Sequence, residues 1–140
     1  MNELPLFDTT FVVDLTRSEP GAVRLALSTD AENVPAALSV LSVHEYLVGV
    51  HRKYGTQPNE VLQEKLATAH IQVSRFEVIP LTSEIAEISS GLQAELMRLG
   101  RMIGINDLCI AATALKLDLT LITRNLVEFK RVPKLKIESY

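Results

Sequence analysis

Short apolar runs alternate along this chain with stretches of helical periodicity, and that alternation narrows the possible folds more than any other feature. Leu4–Phe7, Leu38–Leu41, Phe76–Pro80, Leu119–Ile122 and Leu135–Ile137 read as strands, the last at a sheet edge. Each run is short and bounded by turn or cap residues. Between them apolar residues recur every three or four positions. The clearest case is Ile85, Ile88, Leu92, Leu96 and Leu99, the buried stripe of a helix that starts at Thr82 or Ser83 and closes at Gly100. Further helices are predicted from Phe11, over Ala22–Thr29 and over Ser42–Tyr54, with Gly55 as the stop. Others follow over Asn59–His70 and from an Asn106 N-cap to Leu117, with a single turn at Leu126–Phe129. Strands alternating with helices imply an α/β fold, a parallel sheet covered on both faces. No repeat or linker divides the 140 residues, which read as one domain, 1–140.

Four acids stand at the seams where an apolar run meets a helix start: Asp8, Glu45, Asp107 and Glu128. In an open α/β sheet such seams converge on a crevice outside the carboxyl ends of the strands. Carboxylates gathered there repel one another unless a hard cation lies between them, which points to Mg²⁺ or Mn²⁺ chemistry on a phosphate. Each acid also has a structural reading. Asp8 is a good N-cap, although Thr9 or Thr10 could cap as well and leave Asp8 free. Glu45 completes a capping box with Ser42, so its cap and crevice roles compete. Asp107 follows Asn106, which already supplies a cap, and the small apolar residues behind it suit a deeply packed helix. After the fourth apolar run, Thr123, Arg124, Asn125 and Glu128 offer a hydroxyl, a guanidinium, an amide and a carboxylate. Thr123 and Asn125 could hydrogen-bond a phosphate or a metal-bound water there, and Arg124 could clamp the phosphate.

Composition limits the alternatives. A net charge of −3 and a pI near 5.6 argue against attachment to nucleic acid by bulk electrostatics alone. The basic run Lys130, Arg131, Lys134 and Lys136 is either a solvated edge or a hold on a nucleic-acid backbone. Hydrophobic residues reach 47% and mean hydropathy is +0.18, a surplus that hints at a self-association face. The single cysteine, Cys109, excludes an internal disulfide and suits the cytoplasm. Glu3 near the start, with no basic segment before the apolar run, argues against a signal peptide, and no apolar stretch is long enough to span a membrane. The three histidines lack metal-ligand spacing, and there is no glycine-rich phosphate loop or nucleophile elbow.

DTTFVVDL, SVLSVHEYLVGV, FEVIPLTSEIAEISSGLQAELMRLGRMIGINDLCIAATAL and LTLITRNLVEFKRVPKLKIESY, in this order, resemble the PIN-domain family, and within it the VapC-type toxins of prokaryotic toxin–antitoxin pairs. The resemblance spans nearly the whole chain. It implies a three-layer α/β/α sandwich with a mostly parallel sheet, Mg²⁺- or Mn²⁺-dependent endoribonuclease activity, homodimerisation and a cognate antitoxin. Asp8, Glu45 and Asp107 match the first three family acids. The fourth falls in TRNLVEF, at Asn125 or Glu128. Thr9 and Thr123 match small polar positions that line the family site, and Ile105 stands close to where some members carry a further acid, which leaves the number of metals, one or two, open. On this reading Asp8 and Asp107 hold the metal directly, Glu45 directly or through a water, and the RNA is cut in a single strand or loop. The helices from Val43 and Asn59 could clasp an amphipathic antitoxin segment, whose arginine could reach the acids. A phospho-receiver domain, which also gathers acids and Mg²⁺, lacks its phospho-accepting Asp here, because the middle strand ends in Pro80-Leu81-Thr82. A PIN-like binding module with little or no catalysis stays open as the alternative.

Overall fold

In a computed structural model, residues 4–140 are described; the charged start that argued against a signal peptide lies outside them. Five strands form one parallel sheet: β1 (Pro5–Phe7), β2 (Ala37–Ser39), β3 (Glu77–Ile79), β4 (Thr120–Ile122) and β5 (Ile137–Glu138), in the order β3-β2-β1-β4-β5. The helices between them are α1 (Thr9–Thr16), α2 (Pro20–Ala31), α3 (Val40–Tyr54), α4 (Asn59–Val73), α5 (Ser83–Leu99), α6 (Ile105–Leu117) and α7 (Leu126–Phe129). This is the three-layer α/β/α sandwich expected from the sequence.

Side-chain alternation along the strands decides which helices cover which face. Leu6 aligns with Ala37 and Leu121, and all three enter one core with Leu96 of α5 and Leu108, Ile110 and Ala111 of α6. Phe7, one residue on, aligns with Leu38 and Ile122 and points the other way, towards α1, α2, α3 and α4. Helix α6 is buried from Leu108 to Ala114, and its alanines let it sit close to the sheet. Gly100 ends α5 at φ +66°, its N–H reaching the Leu96 and Met97 carbonyls, a left-handed stop that favours glycine.

Several boundaries differ from the sequence expectations, each for a local reason. Strand β2 ends at Ser39, whose hydroxyl accepts from Leu41 N–H, so α3 starts at Val40. Ser42 is therefore inside the helix, fully buried and without a hydrogen-bond partner among the described residues, and the capping box with Glu45 does not form. Helix α2 begins at Pro20 because the Glu19 carboxylate accepts from Gly21 and Ala22 N–H. Pro suits the first helical position, where its missing N–H costs nothing. Helix α1 begins at Thr9 and α6 at Ile105, so Asn106 is not a cap. The last strand is Ile137–Glu138 rather than Leu135–Ile137. Gly55 ends α3 in ordinary helical geometry, and a Cβ there would collide with the His51 carbonyl oxygen.

Candidate active site

The order of the strands builds the site. From β1 the chain winds outward through β2 to β3, then crosses back to lay β4 on the other side of β1. Connections diverge at that switch point and leave a crevice beyond the strand ends. Asp8 follows β1 directly and Thr123 follows β4 directly, while Glu45 lies in the second turn of α3 and Asp107 in the first turn of α6. A cleft of about 300 Å³ is lined by Asp8, Thr9, Glu45, Asp107, Arg124 and Asn125. Thr10, which sequence reasoning offered only as a cap, lines it too.

Hydroxyls fix the carboxylates. Asp8 holds the N-cap backbone position of α1 but makes no side-chain cap bond, so its carboxylate faces the cleft. Its Oδ2 accepts from Thr123 Oγ1 at 2.8 Å and from Thr10 Oγ1 at 3.3 Å. Thr9 Oγ1 donates to Glu45 Oε1 at 2.8 Å, joining α1 to α3 across the cleft. Thr123 Oγ1 in turn accepts from Asn125 N–H at 2.9 Å, which folds the loop after β4 towards Asp8. Glu128 lies just behind, accepting from Asn125 Nδ2 at 3.3 Å and sharing a hydrogen bond with the Asp107 carboxyl.

Arg124 also lines the cleft, but two of its donors are turned onto Asp14, with Nη2 2.9 Å from Oδ1 and Nε 2.5 Å from Oδ2. Tyr140 donates to the same carboxylate at 2.6 Å. Burial and the bond to Asp14 push the Tyr140 hydroxyl up to about 12, so it remains a donor at neutral pH. The lock between Asp14, Arg124 and Tyr140 joins residues 110 and 126 positions apart, and no local sequence pattern pairs them.

Electrostatics single out Asp107. Burial, then the charge of Asp8, then the hydrogen bond with Glu128 and the charge of Glu45 push its carboxyl up to about 7. Asp8 is also raised, chiefly by burial, against the bonds from Thr123, Thr9 N–H and Thr10. A carboxyl raised in the fold binds its proton more tightly folded than unfolded. The metal-free protein therefore loses stability as pH rises from about 4 towards 7, and Asp107→Asn removes that loss. The site is half open, so solvent screening reduces the gain at pH 8 to on the order of 1–2 kcal/mol. Melting curves in chelator are expected to show Asp107→Asn above the wild type at pH 8 and level with it near pH 4. A gain that does not grow with pH would exclude carboxylate repulsion as its source.

The donor set of Asp8, Glu45 and Asp107 is all hard carboxylate oxygen, which suits Mg²⁺ or Mn²⁺ and not a soft metal. Among the described residues no three such groups already enclose one point, so the side chains must draw together to share an ion. Their mutual repulsion in one cleft is the charge that a divalent cation would neutralise.

The family model described as the PIN domain matches residues 6–135. The chain is 33% identical to Ribonuclease VapC2 of Rickettsia felis over 135 residues, which is 96% of each chain. A crystal structure of VapBC2 from Rickettsia felis, bound to a DNA fragment from their promoter, superposes with TM-score 0.81 at 31% identity over 98% of both chains. A toxin–antitoxin complex from Klebsiella pneumoniae superposes with TM-score 0.69 at 30% identity over 94% of both chains.

Proposed function

The chain belongs to the PIN-domain family, and from that premise we propose that it is a metal-dependent endoribonuclease, the toxin of a toxin–antitoxin pair. The observation that carries this reading is the convergence of Asp8, Glu45 and Asp107 on one cleft at the switch point of the sheet. Asp8 and Asp107 would hold Mg²⁺ or Mn²⁺ directly and Glu45 directly or through a water, while Glu128 or Asn125 would hold a second metal or the outer waters. When bound, the cation lowers the pKa of a coordinated water and stabilises charge on the phosphate. Thr123, Thr10 and Thr9 orient the Asp8 and Glu45 carboxylates by donating to them. The Thr123 and Asn125 groups together hold the loop where the phosphate would lie, with Arg124 at the rim.

Relatives solved as toxin–antitoxin complexes support a cognate antitoxin as partner. Exposed Met97, Leu99, Met102 and Ile105 cluster around the turn from α5 to α6 and support a homodimer face. Among the described residues no helix is long and apolar enough to cross a membrane, in keeping with a cytoplasmic protein.

The decisive experiment is cleavage of RNA by the purified chain with Mg²⁺, Mn²⁺ or chelator. Cleavage that starts with metal and stops with chelator is the expected result. One second reading is a PIN-like binding module with little catalysis, in line with the lack, among the described residues, of three carboxylates already placed around one ion. Saturable RNA binding with no cleavage in either metal would select it.

A further inference from the structure

A groove of about 470 Å³ runs between α1, α3 and α4, and Val13 and Glu45 line both it and the acidic cleft, so the two lie side by side. The groove differs from the cleft in charge. Arg17, Lys53 and Lys65 border it, and none of the three is in an ion pair among the described residues. Lys53 and Lys65 come from two different helices and converge on the Tyr54 ring, with Nζ atoms 5.4 and 5.3 Å from its centroid. That distance is within cation–π range, and the ring face holds both ammonium groups in place while leaving N–H donors free. The basic run near the end of the chain is less available. Lys136 is salt-bridged to Asp118, and Arg131 donates to the Met102 carbonyl.

A chain of net charge −3 that must bring a polyanion to a cluster of carboxylates needs unpaired cations beside the cleft. We propose that this groove binds the single-stranded RNA flanking the scissile phosphate, with Arg17, Lys53 and Lys65 on successive backbone phosphates and Tyr54 as the anchor that positions the two lysines. This deepens the ribonuclease reading and rests on it for the identity of the ligand. Backbone contacts of this kind carry affinity without sequence preference.

The test measures binding apart from cleavage. In an Asp8→Asn background with chelator, fluorescence anisotropy follows a labelled single-stranded RNA of about 12 nucleotides. The triple change Arg17→Gln, Lys53→Gln and Lys65→Gln is expected to weaken binding about tenfold or more near 0.1 M salt. It should also flatten the slope of log affinity against log salt by about 2, roughly 0.7 for each cation on a single strand. Lys130→Gln with Lys134→Gln is expected to change neither by more than about a third as much. Tyr54→Phe keeps the ring and should bind as the background protein does, whereas Tyr54→Ala should weaken binding. An unchanged affinity and slope in the folded triple variant overturns the proposal, as does an equal loss in the Lys130/Lys134 control. If the triple variant keeps its RNA affinity and instead loses a partner protein, the groove belongs to that partner and the proposal also fails. A chain that binds RNA here without cutting it would contradict the activity reading and leave the groove assignment standing.

Discussion

Asp8→Asn is expected to reduce RNA cleavage by about 10³-fold or more while the protein stays folded. Asp8 is the acid that the fold positions most tightly. It directly follows the central strand, is 3% exposed, and accepts from the hydroxyls of Thr123 and Thr10. Asparagine keeps the shape and one acceptor oxygen but removes the charge that would bind a divalent cation. Burial already disfavours that charge, so removing it costs the fold little. The melting temperature should remain within about 5 °C of the wild type, a shift on the order of 1 kcal/mol. Cleavage of end-labelled RNA beside a circular-dichroism melt checks both halves. A folded Asp8→Asn protein that cleaves within tenfold of the wild-type rate would remove Asp8 from the catalytic set.

Phe129→Ala is expected to have the largest effect on stability. Phe129 is fully buried where α7 plugs into the core formed by Leu121, Ile110 and Leu108, among others. Losing that ring costs about 3–5 kcal/mol, from lost burial and from the cavity left behind. For a chain of this length that lowers the melting temperature by about 10–15 °C. The consequence reaches the site, because α7 also carries Glu128 and follows Asn125, whose N–H is tied to Thr123. Phe129→Leu fills most of the volume and should cost about 1–2 kcal/mol while keeping cleavage. Equal melting temperatures for Phe129→Ala and the wild type would mean that α7 is not anchored by its aromatic residue.

The class of fold was legible because short strands and amphipathic helices have distinct periods, and the meeting of Asp8, Glu45 and Asp107 at one cleft was legible because strand ends are where an α/β sheet opens, whereas Glu128 is set behind that cleft. What escaped the sequence were features decided by single hydrogen bonds. The Ser42-x-x-Glu45 pattern reads as a capping box, yet Ser39 caps α3 one turn earlier, and this frees Glu45 to meet Thr9. Asn106 looks like a cap, but the backbone turns at Gly104 and the helix begins at Ile105. The Glu19 carboxylate starts α2 by accepting from Gly21 and Ala22 N–H, a role that its place before a Pro-Gly pair does not advertise. The attachment of Arg124 to Asp14 spans 110 residues, and that of Tyr140 to Asp14 spans 126. No local pattern announces a contact of that length, because it depends on how the sheet brings the ends of the chain together.

A ribonuclease built on this cleft needs Asp8 and Asp107 to share one divalent ion, and metal binding can be measured without RNA. Titration of Mn²⁺ into the chelator-treated protein, followed by calorimetry or by the loss of the free-ion paramagnetic resonance signal, should show saturable binding to the wild type. Asp8→Asn and Asp107→Asn should each weaken it by about 10–100-fold or more. Mn²⁺ affinity unchanged in both folded variants would contradict a shared metal at this cleft.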